Sequence, residues 1–335
     1  MLQNDDIDLV THLRQIAGKT GILSYRRFIH EVLYAPNLGY YRKDVTRVGR
    51  NENADFYTAE SLGKVFRELV IAAVQNIMGK ENCRNFTFVE IGAEREKGFE
   101  KEGTHDRNGS FLAFKTVHVG DDIKIEKKAI VFANELLDAQ AFHRLIYTKG
   151  RWCELGVRVE NEFTEEILSE LSSEVEEIIE DLPKESDEGY RLDLPLGAES
   201  LLKKIIEQDW SGLIVLFDYG LLWEDLIHNH PQSTGRAYYK HKQLSDLLKN
   251  IGRQDITCHV CWDRLGKILE EYGFQKPKLQ RQESFFVHHA SSVIEKISEK
   301  ASGQRLNYER QTLHELLHPA HMGHKFQVLW SKRLN

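Results

Sequence analysis

The fold is decided by the stretch Phe86-Thr-Phe-Val-Glu-Ile-Gly92. It is a short apolar run that ends in a carboxylate and a glycine, which is how a nucleotide-type loop begins in a Rossmann-like unit. Glycine lets the backbone approach a ligand closely, and a helix N-terminus that follows such a loop favours negative charge. The next residues, Ala93 to Lys97, bring no further glycine. A strand that simply leaves the core through a glycine turn therefore fits this stretch about as well.

Two further apolar runs, at residues 129–133 and 213–217, are also bounded by glycine or polar residues. Such runs suit strands that are buried on both faces, as in a parallel sheet covered by helices. A carboxylate stands at the end of each of the three runs: Glu90, Glu135 and Asp218. Because ligands bind outside the carboxyl ends of parallel strands, we expect these three groups to face one cleft.

Two polar motifs follow the second and third runs. Asn134-Glu-Leu-Leu-Asp138 can bind a cation, orient a guanidinium group or accept a proton. A helix N-terminus whose acids complement the dipole explains the same residues. In Asp218-Tyr-Gly220, a carboxylate beside an aromatic ring suits a cationic ligand. An Asp-initiated turn is the structural alternative.

Apolar residues recur at helical spacing in two other parts of the chain, the N-terminal region and an acidic segment. A stripe that begins at Tyr25, with Ser24 as its cap, and a second stripe from Leu62 predict a helical region over residues 1–80. We expect residues 81–335 to form the α/β core. The acidic segment around residues 160–190 keeps a helical period of apolar residues, which predicts a solvated amphipathic helix inserted at the rim of the sheet.

Composition narrows the class of protein. Forty-five Lys and Arg residues against 52 Asp and Glu give a formal charge of -7, which disfavours general binding to a phosphate backbone. No apolar stretch is long enough to span a bilayer, and the first residues lack the pattern of a secretory or transit peptide. The four cysteines are too scattered for a disulfide framework. These features predict a soluble, cytoplasmic protein.

Several motifs that suggest other chemistry are incomplete. Cys258 and Cys261 have a zinc-like spacing, but no second CxxC completes a tetrahedral site. Pro319 and Gly323 interrupt the histidines near residue 320, so no metal site is predicted. The chain also has no Gly-x-Ser-x-Gly elbow, which leaves a hydrolase triad without support.

An ordered set of segments resembles a known family, the methyltransferases that include the mitochondrial complex I assembly factor and its bacterial relatives. The segments are FIHEVLYAPNLGYY (28–41), ADFYT (54–58), VEIG (89–92), NELLDA (134–139), WCE (152–154), DYG (218–220), TGRAY (234–238), His241, DITCHV (255–260) and MGHKF (322–326). No single motif is decisive, but the set covers most of the chain in the right order.

The resemblance implies a Rossmann-like class I methyltransferase core, mostly a parallel sheet flanked by helices, with a helical N-terminal region that closes the cofactor site. The implied cofactor is S-adenosylmethionine, with S-adenosylhomocysteine as product. The residues carried over as cofactor-binding are Asp55, Phe56, Thr58, Glu90, Gly92 and Asn134. Those carried over as catalytic are Glu135, Asp138 and Asp218, and those carried over as substrate-binding are Tyr40, Tyr41, Tyr219 and Gly220.

The implied acceptor is a side chain of a partner protein, with arginine as the best guess. A small-molecule acceptor stays open, and so does a non-catalytic family member that acts as a binding or assembly factor. The last reading is motivated by residues 94–97, which replace the glycine-rich turn of the family. The acid that holds the ribose hydroxyls is also missing from its usual place, and Asp121 and Asp122 are the candidates.

Overall fold

The computed structural model describes residues 4–43, 63–93, 98–99, 109–240, 242–299 and 304–334. The helices within these ranges are α1 (Asn4–Ala17), α2 (Tyr25–Tyr34), α3 (Lys64–Met78), α4 (Ser173–Glu176), α5 (Leu196–Ile206), α6 (Trp223–His228), α7 (Trp262–Glu271), α8 (Gln282–His289), α9 (Ser291–Glu299) and α10 (Gln304–Leu317).

The strands are named in the same way, in chain order. They are β1 (Ile22–Ser24), β2 (Thr87–Ile91), β3 (Ala113–Val117), β4 (Lys128–Asn134), β5 (His143–Thr148), β6 (Arg151–Val159), β7 (Phe163–Ile167), β8 (Arg191–Leu194), β9 (Ser211–Asp218), β10 (Gly220–Leu221), β11 (Arg236–Tyr239), β12 (Lys242–Leu244), β13 (Asp255–Thr257), β14 (Val260–Cys261), β15 (Lys278–Arg281) and β16 (Gln327–Arg333).

Contacts divide the chain into two compact units, each built from three segments. The Rossmann-like unit comprises Tyr57–Leu136, Lys203–Tyr219 and Leu265–Asn335. The accessory unit comprises Met1–Phe56, Leu137–Leu202 and Gly220–Arg264. The N-terminal helices α1 and α2 belong to the accessory unit, whereas α3 belongs to the Rossmann-like unit.

The Rossmann-like unit contains a six-stranded sheet of order β15-β16-β9-β4-β2-β3. β3, β2, β4 and β9 are parallel, and β16 and β15 run antiparallel to their neighbours. The three apolar runs of the sequence are β2, β4 and β9, so the predicted parallel sheet is confirmed. The register pairs Ile91 with both Val117 and Ala133, and Asn134 with Phe217. The carboxyl ends of the four parallel strands therefore lie side by side at one edge of the sheet.

An aromatic core supports this sheet. Phe88 is fully buried, and its ring lies 4.9 Å from Phe99 and 5.8 Å from Phe132, measured between ring centroids. Phe217 of β9 joins the same cluster and contacts Phe66 of α3 at 5.6 Å. The alternation of side chains along a strand sends one face of β2, β4 and β9 into this cluster.

The accessory unit holds three smaller sheets within the described residues. Their orders are β1-β6-β5-β8, with β7 paired to β6, then β12-β11-β13, and the parallel pair β10-β14. Ser24 caps the start of α2, as the sequence predicts, because its side chain accepts the Arg27 N–H. The helix ends just before Pro36, where the Ala35 N–H bonds to the Glu31 carbonyl. Its apolar stripe packs into a core shared with α1 and β6.

A buried charge network ties the accessory strands together. Arg144 of β5 donates to both carboxylate oxygens of Asp193 on β8, at 2.8 and 3.1 Å. Asp193 also accepts the Gly235 N–H at 2.6 Å, just before β11. Bidentate pairing and the additional N–H bond compensate for removing these charges from water.

The acidic segment around residues 160–190 is not the helical insertion that its apolar spacing predicts. It forms β7, the single turn α4 and a short 3₁₀ turn, Ile179–Asp181. β7 is stabilised by pairing with β6, where Arg158 binds Glu166 at 2.5 and 2.8 Å. Pairing with β6, including this cross-strand ion pair, thus overrides the local helical period.

We predict that Phe88→Ala destabilises the Rossmann-like unit by about 3–5 kcal/mol, because a fully buried ring is lost and a cavity is left. Urea unfolding followed by fluorescence measures the change. Leu112→Ala is the control, since this side chain is 68% exposed and its loss should change the free energy of unfolding by about 0.5 kcal/mol or less. Equal effects of the two substitutions would contradict the assignment of the core.

Candidate active site

The exit of β2 requires a glycine. Gly92 has φ +89, and a Cβ placed there would lie 2.7 Å from Cδ1 of Leu136. Its N–H bonds to the Val117 carbonyl at 2.9 Å, which continues the β2–β3 ladder by one step. Gly92 therefore gives a close-packed backbone turn at the edge of the sheet.

Glu90, two residues earlier, is buried and holds the chain where it returns from the first loop. Its carboxylate accepts the Phe99 N–H at 2.7 Å. A Cβ on Gly98 would lie only 2.8 Å from the same oxygen, and the Gly98 carbonyl accepts a bond from Arg67 at 3.3 Å. Glu90 thus fixes residues 98–99. Its role in cofactor binding stays a prediction.

The exit of β4 places Asn134 and Glu135 beside Gly92. The Asn134 amide donates to Glu135 at 3.1 Å, while its Oδ1 is buried and has no hydrogen-bond partner among the described residues. Glu135 adopts φ +48, an unusual conformation for a residue with a side chain, and its N–H bonds to Phe217. Such strain is concentrated at functional sites.

The exit of β9 brings Asp218 and Tyr219 to the same edge. Asp218 is 1% exposed and accepts the Tyr219 N–H at 2.9 Å. The Tyr219 ring meets Phe326 edge-on at 5.9 Å. The structure therefore brings Gly92, Asn134, Glu135 and Asp218 to neighbouring strand ends of the Rossmann-like unit.

Other predicted site residues lie in the accessory unit. The Tyr41 hydroxyl donates to Asp255 at 2.7 Å, and the Tyr41 ring stacks on Tyr34 at 5.5 Å. Burial raises the pKa of Tyr41 well above its ordinary value, and the Asp255 carboxylate raises it further. Tyr40 packs edge-on against Tyr41 at 5.1 Å. Tyr34 and Asp255 were not selected from the sequence as site residues, although both stand in segments that carry the family resemblance.

Asp138 is 4% exposed, and its backbone carbonyl accepts the Cys258 N–H at 2.9 Å. This bond joins Asp138 to the residue that directly follows the strand carrying Asp255. Gly220 pairs with Val260, and a Cβ there would lie 2.4 Å from the Val260 carbonyl oxygen. Asp55, Phe56 and Thr58, also predicted to bind the cofactor, lie outside the described residues.

His259 follows Cys258 in the accessory unit and favours its neutral form. Burial lowers its pKa to about 4, and the nearby charges of Arg236 and His230 act in the same direction. The imidazole therefore stays uncharged at neutral pH, beside the segment that holds Asp255.

Histidines also gather at the C-terminal end of α10 and just beyond it. The rings of His314, His318 and His321 lie 4.5 to 5.7 Å apart between centroids. His318 Nδ1 accepts the Ala320 N–H, which uses one ring nitrogen. In the part of the chain that the structure describes, no group of three or more His, Cys, Asp or Glu residues is arranged to hold a metal ion. Nor is any helix in those ranges long and apolar enough to cross a bilayer.

A parallel sheet with a glycine turn and polar strand ends defines a Rossmann-like nucleotide-binding class. Residues 108–280, more than half of the chain, match the family model described as "Putative S-adenosyl-L-methionine-dependent methyltransferase". The chain therefore belongs to this family, and its cofactor is S-adenosylmethionine.

Relatives and solved structures agree with this assignment. The chain is 22% identical to Protein arginine methyltransferase NDUFAF7, mitochondrial, of Xenopus tropicalis, over 78% of the chain and 71% of that protein. It is 24% identical to the Drosophila melanogaster homolog, over 96% of the chain and 84% of that protein. A COG1565 superfamily structure from Burkholderia thailandensis, bound to S-adenosyl-homocysteine, shares the fold with a TM-score of 0.84 at 21% identity, covering 98% and 92% of the two chains.

The prediction of a cytoplasmic protein is wrong on this comparison, because these relatives are named as mitochondrial proteins.

The residues fit the cofactor of the family. The buried Oδ1 of Asn134 is an acceptor without a donor among the described residues, and a ligand N–H or O–H would satisfy it. Gly92 has no side chain of its own and packs directly against Leu136, which keeps the turn after β2 tight beside Asn134.

Lowering the pH should destabilise the protein through His259. Its pKa in the folded state, about 4, lies below the ordinary 6.5, so the unfolded state binds more protons between these values. Stability is therefore lost as the pH falls from about 6.5 to about 4, and His259→Gln should show a smaller fall in thermal midpoint over this range. His228→Gln, at a half-exposed histidine on α6, is the control. A pH profile of His259→Gln identical to that of the natural chain would refute this prediction.

Proposed function

We propose that this protein transfers the methyl group of S-adenosylmethionine to an arginine side chain of an acceptor protein. The observation that carries the choice of acceptor is the buried carboxylate of Asp255, bonded to Tyr41 beside the stacked ring of Tyr34. Buried carboxylates and aromatic faces both attract a guanidinium group. The names of the relatives, which are protein arginine methyltransferases, support the same acceptor.

Cofactor binding and acceptor recognition are assigned to different residues. When bound, the cofactor supplies a methyl group on a positively charged sulfur. Gly92 and Asn134 hold the cofactor, together with Glu90 and with Asp55, Phe56 and Thr58 from outside the described residues. Tyr40, Tyr41, Tyr219, Gly220 and Asp255 recognise the acceptor.

Glu135, Asp138 and Asp218 are the proposed catalytic carboxylates. A guanidinium nitrogen must lose a proton to become methylated, and a carboxylate within reach can accept it. Asp138 and Asp218 are 4% and 1% exposed, so their charges are poorly screened by water and act strongly on a cation. Fixed negative charge of this kind holds the acceptor in place for in-line transfer.

Methyl transfer can be measured with labelled S-adenosylmethionine and an extract of mitochondrial proteins. We expect labelled methylarginine in the hydrolysate with the natural chain, and a loss of about 100-fold or more in Glu135→Gln and Asp218→Asn, because each removes a proposed proton acceptor. Binding of S-adenosylhomocysteine by both variants shows that they are folded. Label on another residue type or on a small molecule would overturn the arginine proposal. If the chain binds the cofactor and a partner protein but transfers no methyl group, the result would favour the alternative, a non-catalytic binding or assembly factor.

Recognition of the acceptor should depend on the Tyr41–Asp255 bond. Tyr41→Phe keeps the ring and removes the hydroxyl that bonds Asp255 at 2.7 Å, while Asp255→Asn removes the charge. We expect KM for the acceptor to rise about tenfold in each, with an unchanged Kd for S-adenosylhomocysteine. Tyr308→Phe, at a ring that is 52% exposed on α10, should change neither constant. A rise in the cofactor Kd without a rise in KM would reject this role for Asp255.

A further inference from the structure

The strand after the first loop of a Rossmann-like unit ends where the ribose of a bound nucleotide lies, and an acid at this position usually binds a ribose hydroxyl. In this chain that strand is β3, which lies parallel to β2 with Val117 opposite Ile91. The residue at its carboxyl end is His118, and it is adjacent to Gly92 because the Gly92 N–H bonds to the Val117 carbonyl.

Neither acid that follows takes this position. Asp121 accepts the His118 N–H at 2.9 Å, and its own N–H bonds back to the His118 carbonyl at 3.0 Å. Asp121 thus closes the turn after β3. The Asp122 side chain is 88% exposed and lies 3.7 Å from Lys124. The two candidates drawn from the sequence are therefore engaged in a turn and in a solvated ion pair.

The hydrogen bond of the His118 ring determines what it offers to a ligand. Nδ1 lies 3.0 Å from the carbonyl oxygen of Ala93. A carbonyl oxygen only accepts, so Nδ1 must carry the proton. In the neutral ring Nε2 then has a lone pair and accepts a hydrogen bond. The ring is half-buried, and within the described residues Nε2 has no partner.

We propose that His118 binds the cofactor by accepting a hydrogen bond at Nε2 from a ribose hydroxyl. The bond from Nδ1 to Ala93 orients the ring and fixes the tautomer, as a second hydrogen bond does for histidine ligands elsewhere. The inference rests on the cofactor assignment and adds a residue to that site. It also explains how the ribose can be held without an acid at the end of β3.

Two substitutions separate the two ring nitrogens. The amide of His118→Asn places a donor near the position of Nδ1 and has no group at Nε2. The amide of His118→Gln reaches the position of Nε2 and can offer its oxygen there. If His118 binds the ribose, the Asn variant loses affinity and the Gln variant keeps it. If His118 only supports the loop at Ala93, the order is reversed.

The experiment is calorimetric titration of the full chain with S-adenosylhomocysteine and with its 2′-deoxy and 3′-deoxy analogues, at a pH where imidazole is neutral. We expect His118→Asn to weaken binding of S-adenosylhomocysteine about tenfold, which is the effect of one neutral hydrogen bond, and His118→Gln to stay within about threefold. The natural chain should also discriminate against one deoxy analogue, and His118→Asn should not. Asp122→Asn is the matched control and should bind normally.

The outcomes separate binding of the cofactor by the chain from the role of His118 in that binding. No binding by the natural chain overturns the cofactor assignment and the role of His118 with it. If the natural chain binds normally, two results overturn the role of His118 alone. One is an unchanged affinity in His118→Asn, and the other is that His118→Asn still discriminates against the deoxy analogue. A loss in Asp122→Asn as large as in His118→Asn would assign the ribose contact to the acid instead. Thermal unfolding of each variant confirms that it is folded.

Discussion

The Rossmann-like unit depends on the parallel ladder of β3, β2, β4 and β9. β2 and β9 are buried along their whole length, so their interiors have no room for groups that need water. Polar side chains are displaced to the strand ends, where the register places them beside one another. Glu90 is the exception inside β2, and it is accommodated because the Phe99 N–H satisfies its carboxylate.

Buried polar contacts join strands and loops of the accessory unit. Arg144 and Asp193 are both buried and link β5 to β8, and Gly235 adds the neighbouring segment. Tyr41 and Asp255 form a second buried pair of this kind. Buried polar groups have few alternative partners, so these pairs restrict the strands to one arrangement. The Asp255 carboxylate is thereby held in a defined position.

The sequence allowed the sheet to be predicted because its strands are buried on both faces and appear as short apolar runs bounded by polar residues. The helical prediction was wrong for β7, because its apolar residues fit a helical period by themselves while pairing with a strand outside the segment, β6, decides the structure. Asp255 and Tyr34 escaped selection for the same reason, since their value as site residues arises from packing against Tyr41. His118 was not predicted because the usual ribose ligand at this position is an acid, and only its contact with the Ala93 carbonyl shows which ring nitrogen can accept a bond.

The position of β16 in the sheet has a consequence for how the chain folds. β16 lies between β9 and β15 and pairs with β9 over seven residues. Its last residue is Arg333, whose guanidinium donates to the carbonyls of Ile206, Gln208 and Trp210. On the ribosome, β9 is complete more than a hundred residues before β16 is made. During that interval one edge of a strand with an apolar interior is unpaired, and such an edge can pair with another chain. Synthesis of this protein therefore passes through a stage in which protection of β9 by a chaperone, or by transient local structure, decides between folding and aggregation.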